Sequence, residues 1–212
     1  MRKRILAITS GTIHPKLNAR LALKRELRRS GKYSLVSRGR ISAALSLRQG
    51  GCDAVLLYLH RRKISGDALR CLQDFVEKGG GLYAIHSASA SFKSCDAYFQ
   101  LLGGRFTGHD RVREYRAEPV PGVPDIFSGC RGFTIRDELY IHETYDGITT
   151  HFTAGHEGGT EPVVWTKTHG RGRICYFAPG HCTGTMRNPD ALSVIMKGLD
   201  WVCGIEEEGA IA

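Results

Sequence analysis

The sequence predicts a single α/β domain over residues 1–212, built on a mainly parallel sheet with helices on both faces and antiparallel strands added in the C-terminal half. Three observations lead there. Continuous apolar runs such as AVLLYL (54–59) and GLYAI (81–85) have the pattern of strands buried on both faces. Segments of helical periodicity alternate with these runs through the first hundred residues. Beyond residue 105 the texture changes to short alternating stretches broken by Gly and Pro, the pattern of antiparallel strands and hairpins.

Taken in order, a strand is predicted at 4–9 and an amphipathic helix near 16–30, with Leu17, Leu21, Leu23 and Leu27 as its apolar stripe. A short strand follows at 33–37, a helix near 42–49 and a buried strand at 53–59. The stretch SGDALRCLQDFVEKGGG opens on Ser65 as N-cap, places apolar residues at 69, 72, 75 and 76, and stops at glycines. The strand GLYAIH comes next, then a short helix about 95–102. Strands are expected in FTIRDELYIHETY, ITTHFTA and PVVWTKTHGRGRICYFA, with the HGRG turn forming a tight hairpin and Trp165 serving as a packing residue. The closing helix, NPDALSVIMKGLDWVCG, has Asn188 as cap, Pro189 at its first position and Gly204 past its end. A frayed tail, EEEGAIA, is expected after it.

The longest apolar run, six residues from Ala54 to Leu59, is far short of the ~20 that span a bilayer, so no membrane association is expected. Seven scattered cysteines without a CxxC argue against disulfides or a cysteine zinc knuckle and point to a reducing cytoplasm. The net charge of +9 is unevenly placed: residues 1–48 carry thirteen Lys or Arg against Glu26 alone, or +12, and the rest carry seventeen bases against twenty acids, or −3. The basic helix is read as a solvated face. Without interleaved aromatics it makes a poor nucleic-acid surface.

Histidines carry the functional signal. In a parallel sheet, ligands bind beyond the carboxyl ends of the strands. His14 lies after the first strand, His60 directly follows AVLLYL, His86 ends GLYAI and His181 follows RICYFAPG. His109, in the Gly-rich stretch GGRFTGHD, is expected in a loop over the same edge. Crowded imidazoles find a common use in a divalent metal or a substrate. His142, His151, His156 and His169 lie in alternating or hairpin segments and are read as structural. The sequence has no HExxH, no phosphate loop and no dinucleotide fingerprint after the first strand.

The phrases GGGLYAIHSASA, LLGGRFTGHD, FTIRDELY and EPVVWTKTHGRGRICYFAPGH together resemble the trehalose-utilisation (ThuA-like) family, over nearly the whole chain. That resemblance implies a three-layer, flavodoxin-like fold similar to class I glutamine amidotransferases. His86 then stands at the strand-turn-helix elbow where those relatives hold a nucleophilic Cys, and His181 matches their later catalytic His. An imidazole cannot replace the thiolate in thioester chemistry, so glutaminase activity is not expected. Glu138 of DELY is the preferred acid, Asp137 a turn or cap residue, and Cys182 a packing residue.

The expected catalytic residues are His86, Glu138 and His181. The expected ligands of a divalent metal, Zn or Mn, are His86, His109, His181 and His60, and the expected substrate contacts are His14, Ser87 and Asp110. The resemblance implies a small sugar-like substrate, such as an oxidised (keto) glycoside. A non-catalytic carbohydrate- or metabolite-binding module is the alternative. Homo-oligomerisation is left open.

Overall fold

Residues 1–11 and 15–205 are described in a computed structural model, so His14 and the expected frayed tail lie outside the described residues. The elements in chain order are β1 (Lys3–Ser10), α1 (Leu17–Arg29), β2 (Tyr33–Arg38), a 3₁₀ segment (Ile41–Gln49), β3 (Ala54–Leu59), α2 (Gly66–Glu77), β4 (Gly81–Ile85), a 3₁₀ turn (His86–Ala88), α3 (Asp96–Leu102), β5 (Gly104–His109), β6 (Arg113–Pro119), β7 (Phe133–Asp137), β8 (Tyr140–Thr144), β9 (Ile148–His156), β10 (Gly159–His169), β11 (Gly172–Phe177), a 3₁₀ turn (Thr185–Arg187) and α4 (Pro189–Val202).

Nine strands form one sheet in the order β2-β1-β3-β4-β11-β10-β9-β6-β7, and β5 pairs with β8 in a separate ribbon. From β2 to β11 every pairing is parallel, and from β11 to β7 every pairing is antiparallel. The sheet separates two cores. Alternate β1 residues Ile5 and Ala7 join one core with Leu23 and Leu27 of α1 and Val194 and Leu199 of α4. Leu6 and Ile8 join the other, with Leu72 of α2 and Tyr98 and Leu102 of α3. Burial on both faces is why β3 and β4 read as unbroken apolar runs: every residue in both strands is buried.

The cap signals translate directly. Ser65 Oγ accepts the Ala68 N–H at 3.3 Å and Asn188 Oδ1 accepts the Ala191 N–H at 2.9 Å, fixing the starts of α2 and α4. Trp165 is fully buried and its indole donates to the Leu102 carbonyl at 2.9 Å, while Gly170 adopts φ 56° in the hairpin between β10 and β11. Both are structural, as the alternating pattern implies.

Three local expectations are corrected. On α1 the buried row is Ala19-Leu23-Leu27, while Leu17 and Leu21 are 49% and 54% exposed. A two-residue offset rotates those leucines ~200° away from the buried row. The helix expected near 42–49 is present over Ile41–Gln49 and is of the 3₁₀ type. His109 ends strand β5 instead of lying in a loop, because GRFTGH pairs with β8 across a bulge between Phe106 and Gly108. The phrase FTIRDELYIHETY also divides: β7 belongs to the large sheet and β8 to the ribbon, with Glu138 and Leu139 at the corner.

Candidate metal and active site

The elbow after β4 is where the chain departs from ordinary backbone geometry. His86 has φ 48°, the left-handed region that a non-glycine residue adopts only under tertiary constraint. That constraint is visible. The His86 carbonyl accepts the Tyr176 hydroxyl at 2.9 Å and the Ser89 hydroxyl at 3.2 Å, and its Nδ1 lies 2.9 Å from the Ala178 carbonyl. A carbonyl only accepts, so Nδ1 carries the proton in the neutral ring and Nε2 presents its lone pair to the cleft.

Facing Nε2 is Glu138, whose Oε2 lies 3.7 Å from His86 Nε2 and 3.4 Å from His181 Nδ1. Ligand atoms of the three residues all fall within 4.8 Å of one another, and all three residues are buried. Two donors ~2.1 Å from a tetrahedral ion stand roughly 3.4 Å apart, so this N₂O set could hold a divalent metal ion. The Ala178 contact behind His86 supplies the orienting partner that metal-bound imidazoles require.

Asp137 holds the opposite wall. It is fully buried, and its carboxylate accepts the backbone N–H groups of Glu138, Gly180, His181 and Cys182 at 2.8–3.2 Å, and the Thr185 hydroxyl as well. Burial pushes this carboxyl up and the hydrogen bonds it accepts pull it down, with burial the larger effect. One side chain therefore ties the end of β7, which carries Glu138, to the loop after β11, which carries His181. Gly180 completes that loop at φ 145°, where an added Cβ would come within 3.0 Å of His86 Cβ. The sequence marks Asp137 only as a turn or cap residue; its anchoring role depends on contacts with a segment more than forty residues away.

A second network lies behind the elbow. Ser89 Oγ and the Tyr176 hydroxyl are 2.7 Å apart, and His142 Nε2 lies 3.3 and 3.2 Å from them. Burial pushes His142 down to about 3, so it is a neutral structural ring. Tyr140 packs on the His86 ring with centroids 4.1 Å apart, and nothing in its spacing announces this.

The other expected metal ligands are not members of this trio among the described residues. His60 is exposed and His109 is exposed; neither belongs to a three-residue ligand cluster among the described residues. His109 lies on the outer side of Tyr140, at 6.0 Å between centroids, and Asp110 is engaged by Arg113 at 3.0 Å. Ser87 is buried immediately after the elbow. The Cys182 thiol is pushed up by burial and then by the neighbouring Asp137 carboxylate, which leaves it a protonated packing group rather than a nucleophile.

A concavity of about 640 Å³ lies at the other edge of the sheet, among Lys3, Arg48, Asp53, Lys78 and Arg173 at the amino ends of the strands. Size alone would select that groove. The buried acid-base chemistry selects the carboxyl edge instead.

The family model for trehalose utilisation (ThuA) matches residues 19–202. The chain belongs to the ThuA family. A ThuA-like protein from Parabacteroides merdae superposes with a TM-score of 0.82 at 18% identity, covering 100% of this chain and 93% of that one. A ThuA-like protein from Bacteroides uniformis gives 0.76 at 13% identity, with 95% and 91% covered. A cytoplasmic protein of Salmonella typhimurium LT2 gives 0.67 at 15% identity, with 95% and 98% covered. At these identities the superpositions establish the fold. No curated protein matches the sequence. Among the described residues no helix is long and apolar enough to cross a membrane.

Proposed function

We propose that this ThuA-family chain is a metal-assisted enzyme of sugar catabolism in the cytoplasm, acting as a hydrolase or lyase on a sugar derivative such as an oxidised (keto) glycoside. The observation that carries the reading is the buried trio of His86, Glu138 and His181, with ligand atoms within 4.8 Å of one another. The sugar comes from the family's association with trehalose utilisation, and the acid-base chemistry comes from the residues.

A divalent ion held by His86 Nε2, His181 Nδ1 and Glu138 would supply Lewis acidity toward a carbonyl oxygen. The chain's own groups do the rest. The Ala178 carbonyl keeps the His86 proton on Nδ1, Asp137 holds the His181 loop against β7, and Tyr140 packs against the His86 ring. Glu138, between two imidazoles, serves either as the third ligand or, with its carboxylate off the ion, as the base that takes a proton from carbon beside a carbonyl and so prepares the glycosidic bond for elimination or hydrolysis.

The test is elemental analysis of untagged protein together with turnover of keto-glycosides. Stoichiometric Zn or Mn, lost with activity in His86→Ala and Glu138→Gln, is the expected result. Metal-free protein that turns over normally would overturn the metal; saturable sugar binding with no turnover, with or without metal, would favour the binding-module alternative.

A further inference from the structure

A non-glycine residue at φ 48° persists only where its surroundings over-determine it, and the turn after β4 shows how His86 is held. Three successive carbonyls, of His86, Ser87 and Ala88, each accept a buried side-chain hydroxyl: Tyr176 at 2.9 Å, Ser91 at 2.9 Å and Tyr98 at 3.0 Å. Tyr176 comes from β11 and Tyr98 from α3, so the turn is gripped from the sheet and from the helix that follows it.

The His86 carbonyl is also the end of a longer relay. Tyr176 Oη lies 2.7 Å from Ser89 Oγ, and His142 Nε2 lies 3.2 Å from the first and 3.3 Å from the second. Burial keeps His142 neutral, so its ring carries one proton. With that proton on Nε2, the ring donates to the pair of hydroxyls, and both hydroxyl protons stay available for the 2.7 Å contact and for the 2.9 Å contact to His86. With the proton on Nδ1, Nε2 becomes an acceptor and draws a hydroxyl proton away from one of those two contacts. That tautomer would also bury an N–H at an inaccessible atom that meets no acceptor among the described residues, which costs more than burying a bare lone pair. His142 is itself fixed against β10: its backbone N–H donates to Glu161 Oε2 at 3.3 Å, and its ring meets Trp165 edge-on at 5.1 Å between centroids.

We propose that His142, carried on the β5–β8 ribbon, is a positioning residue for the site: as the Nε2–H tautomer it directs the Ser89 and Tyr176 hydroxyls onto the His86 carbonyl and so holds the strained backbone that sets His86 Nε2 against Glu138. The role of His86 in the reaction is taken from the proposed function, whereas the relay involves neither metal nor substrate. It acts through hydrogen bonds in sequence, so removing its first donor is felt at its far end.

Heteronuclear NMR of chelator-treated protein with labelled imidazole rings reads the tautomers directly. His142 should appear as Nε2–H and His86 as Nδ1–H; His142 found as Nδ1–H would overturn the proposal. In His142→Leu the His86 ring should lose its single tautomer, and His142→Gln, whose amide can still donate, should restore it. A His86 signal unchanged in His142→Leu would overturn the proposal, since a ring that only packs would lower the melting temperature and leave His86 as it was. If His142→Leu does not fold, Tyr176→Phe takes its place with the same two outcomes. Zn²⁺ titrated into the same samples should bind the variant at least ~10-fold more weakly than the wild type, and equal affinities would count against the relay. A wild type that binds no Zn²⁺ refutes the metal reading, and the tautomers still decide this one.

Discussion

The two edges of the parallel sheet are built from the same strands and are chemically opposite. At the amino edge, the wide groove is lined by charges that sit in water or pair across its surface, as Lys3 does with Asp53 at 3.7 Å. At the carboxyl edge the polar groups His86, Ser87, Asp137, Glu138 and His181 are each less than 10% exposed. Solvated charges cost little to keep and do little chemistry. Buried ones must be held by designed contacts, and those contacts also set their direction and proton affinity.

If that contrast is right, the largest loss should follow from removing the tie at the carboxyl edge. Asp137→Ala strands four backbone N–H groups and a hydroxyl, so we predict destabilisation of ~3 kcal/mol or more, read by denaturant unfolding, together with loss of activity. A variant as stable as the wild type would show that the loop after β11 is held by something else.

His86→Ala separates chemistry from folding at the same edge. The expected outcome is a rate loss of at least ~100-fold, equivalent to ~2.7 kcal/mol, with stability within ~1 kcal/mol of wild type. His86→Gly sharpens the point: at φ 48° glycine relieves backbone strain, so melting should be unchanged or raised while turnover is lost. Retained turnover in either variant removes His86 from the mechanism.

Acid should weaken the fold through two imidazoles that burial keeps neutral: His142 in the network behind the elbow, and His151, which lies 2.8 Å from the Thr166 hydroxyl on β10. Burial lowers His142 from its ordinary 6.5 to about 3 and His151 to about 4. Both fold as neutral rings, so the stability they contribute is present above pH ~6.5 and lost progressively as pH falls toward those folded values. We predict a melting temperature that drops between pH ~6.5 and ~4, with a shallower drop in His142→Gln; identical pH profiles would contradict the assignment.

The smallest effect belongs to the amino edge. Lys3→Ala removes an ion pair whose partners are 32% and 39% exposed, and should change stability by less than ~1 kcal/mol with turnover untouched. A clear loss of activity there would mean that the larger groove takes part in function.

The sequence by itself determined the elements whose signals are local. The buried runs of β3 and β4, the Ser65 and Asn188 caps and the hairpin glycine follow from burial on both faces, from unpaired helix N–H groups and from left-handed backbone geometry. It also marked His86 and His181, since a residue just beyond a parallel strand faces the crevice wherever that strand lies in the sheet. The family resemblance pointed to Glu138 as their acid, and tertiary structure decided how the two neighbouring carboxylates divide their work. FTIRDELY looks like one continuous strand, and only the corner between two sheets turns Glu138 toward the imidazoles while Asp137 is buried under the loop of His181. His60 shares the strand-end signature of His86 and lies outside the trio, because a strand-end position fixes an edge and not a partner. Which side chains meet across that edge depends on strand order and loop packing, and those are set by contacts between residues far apart in the chain.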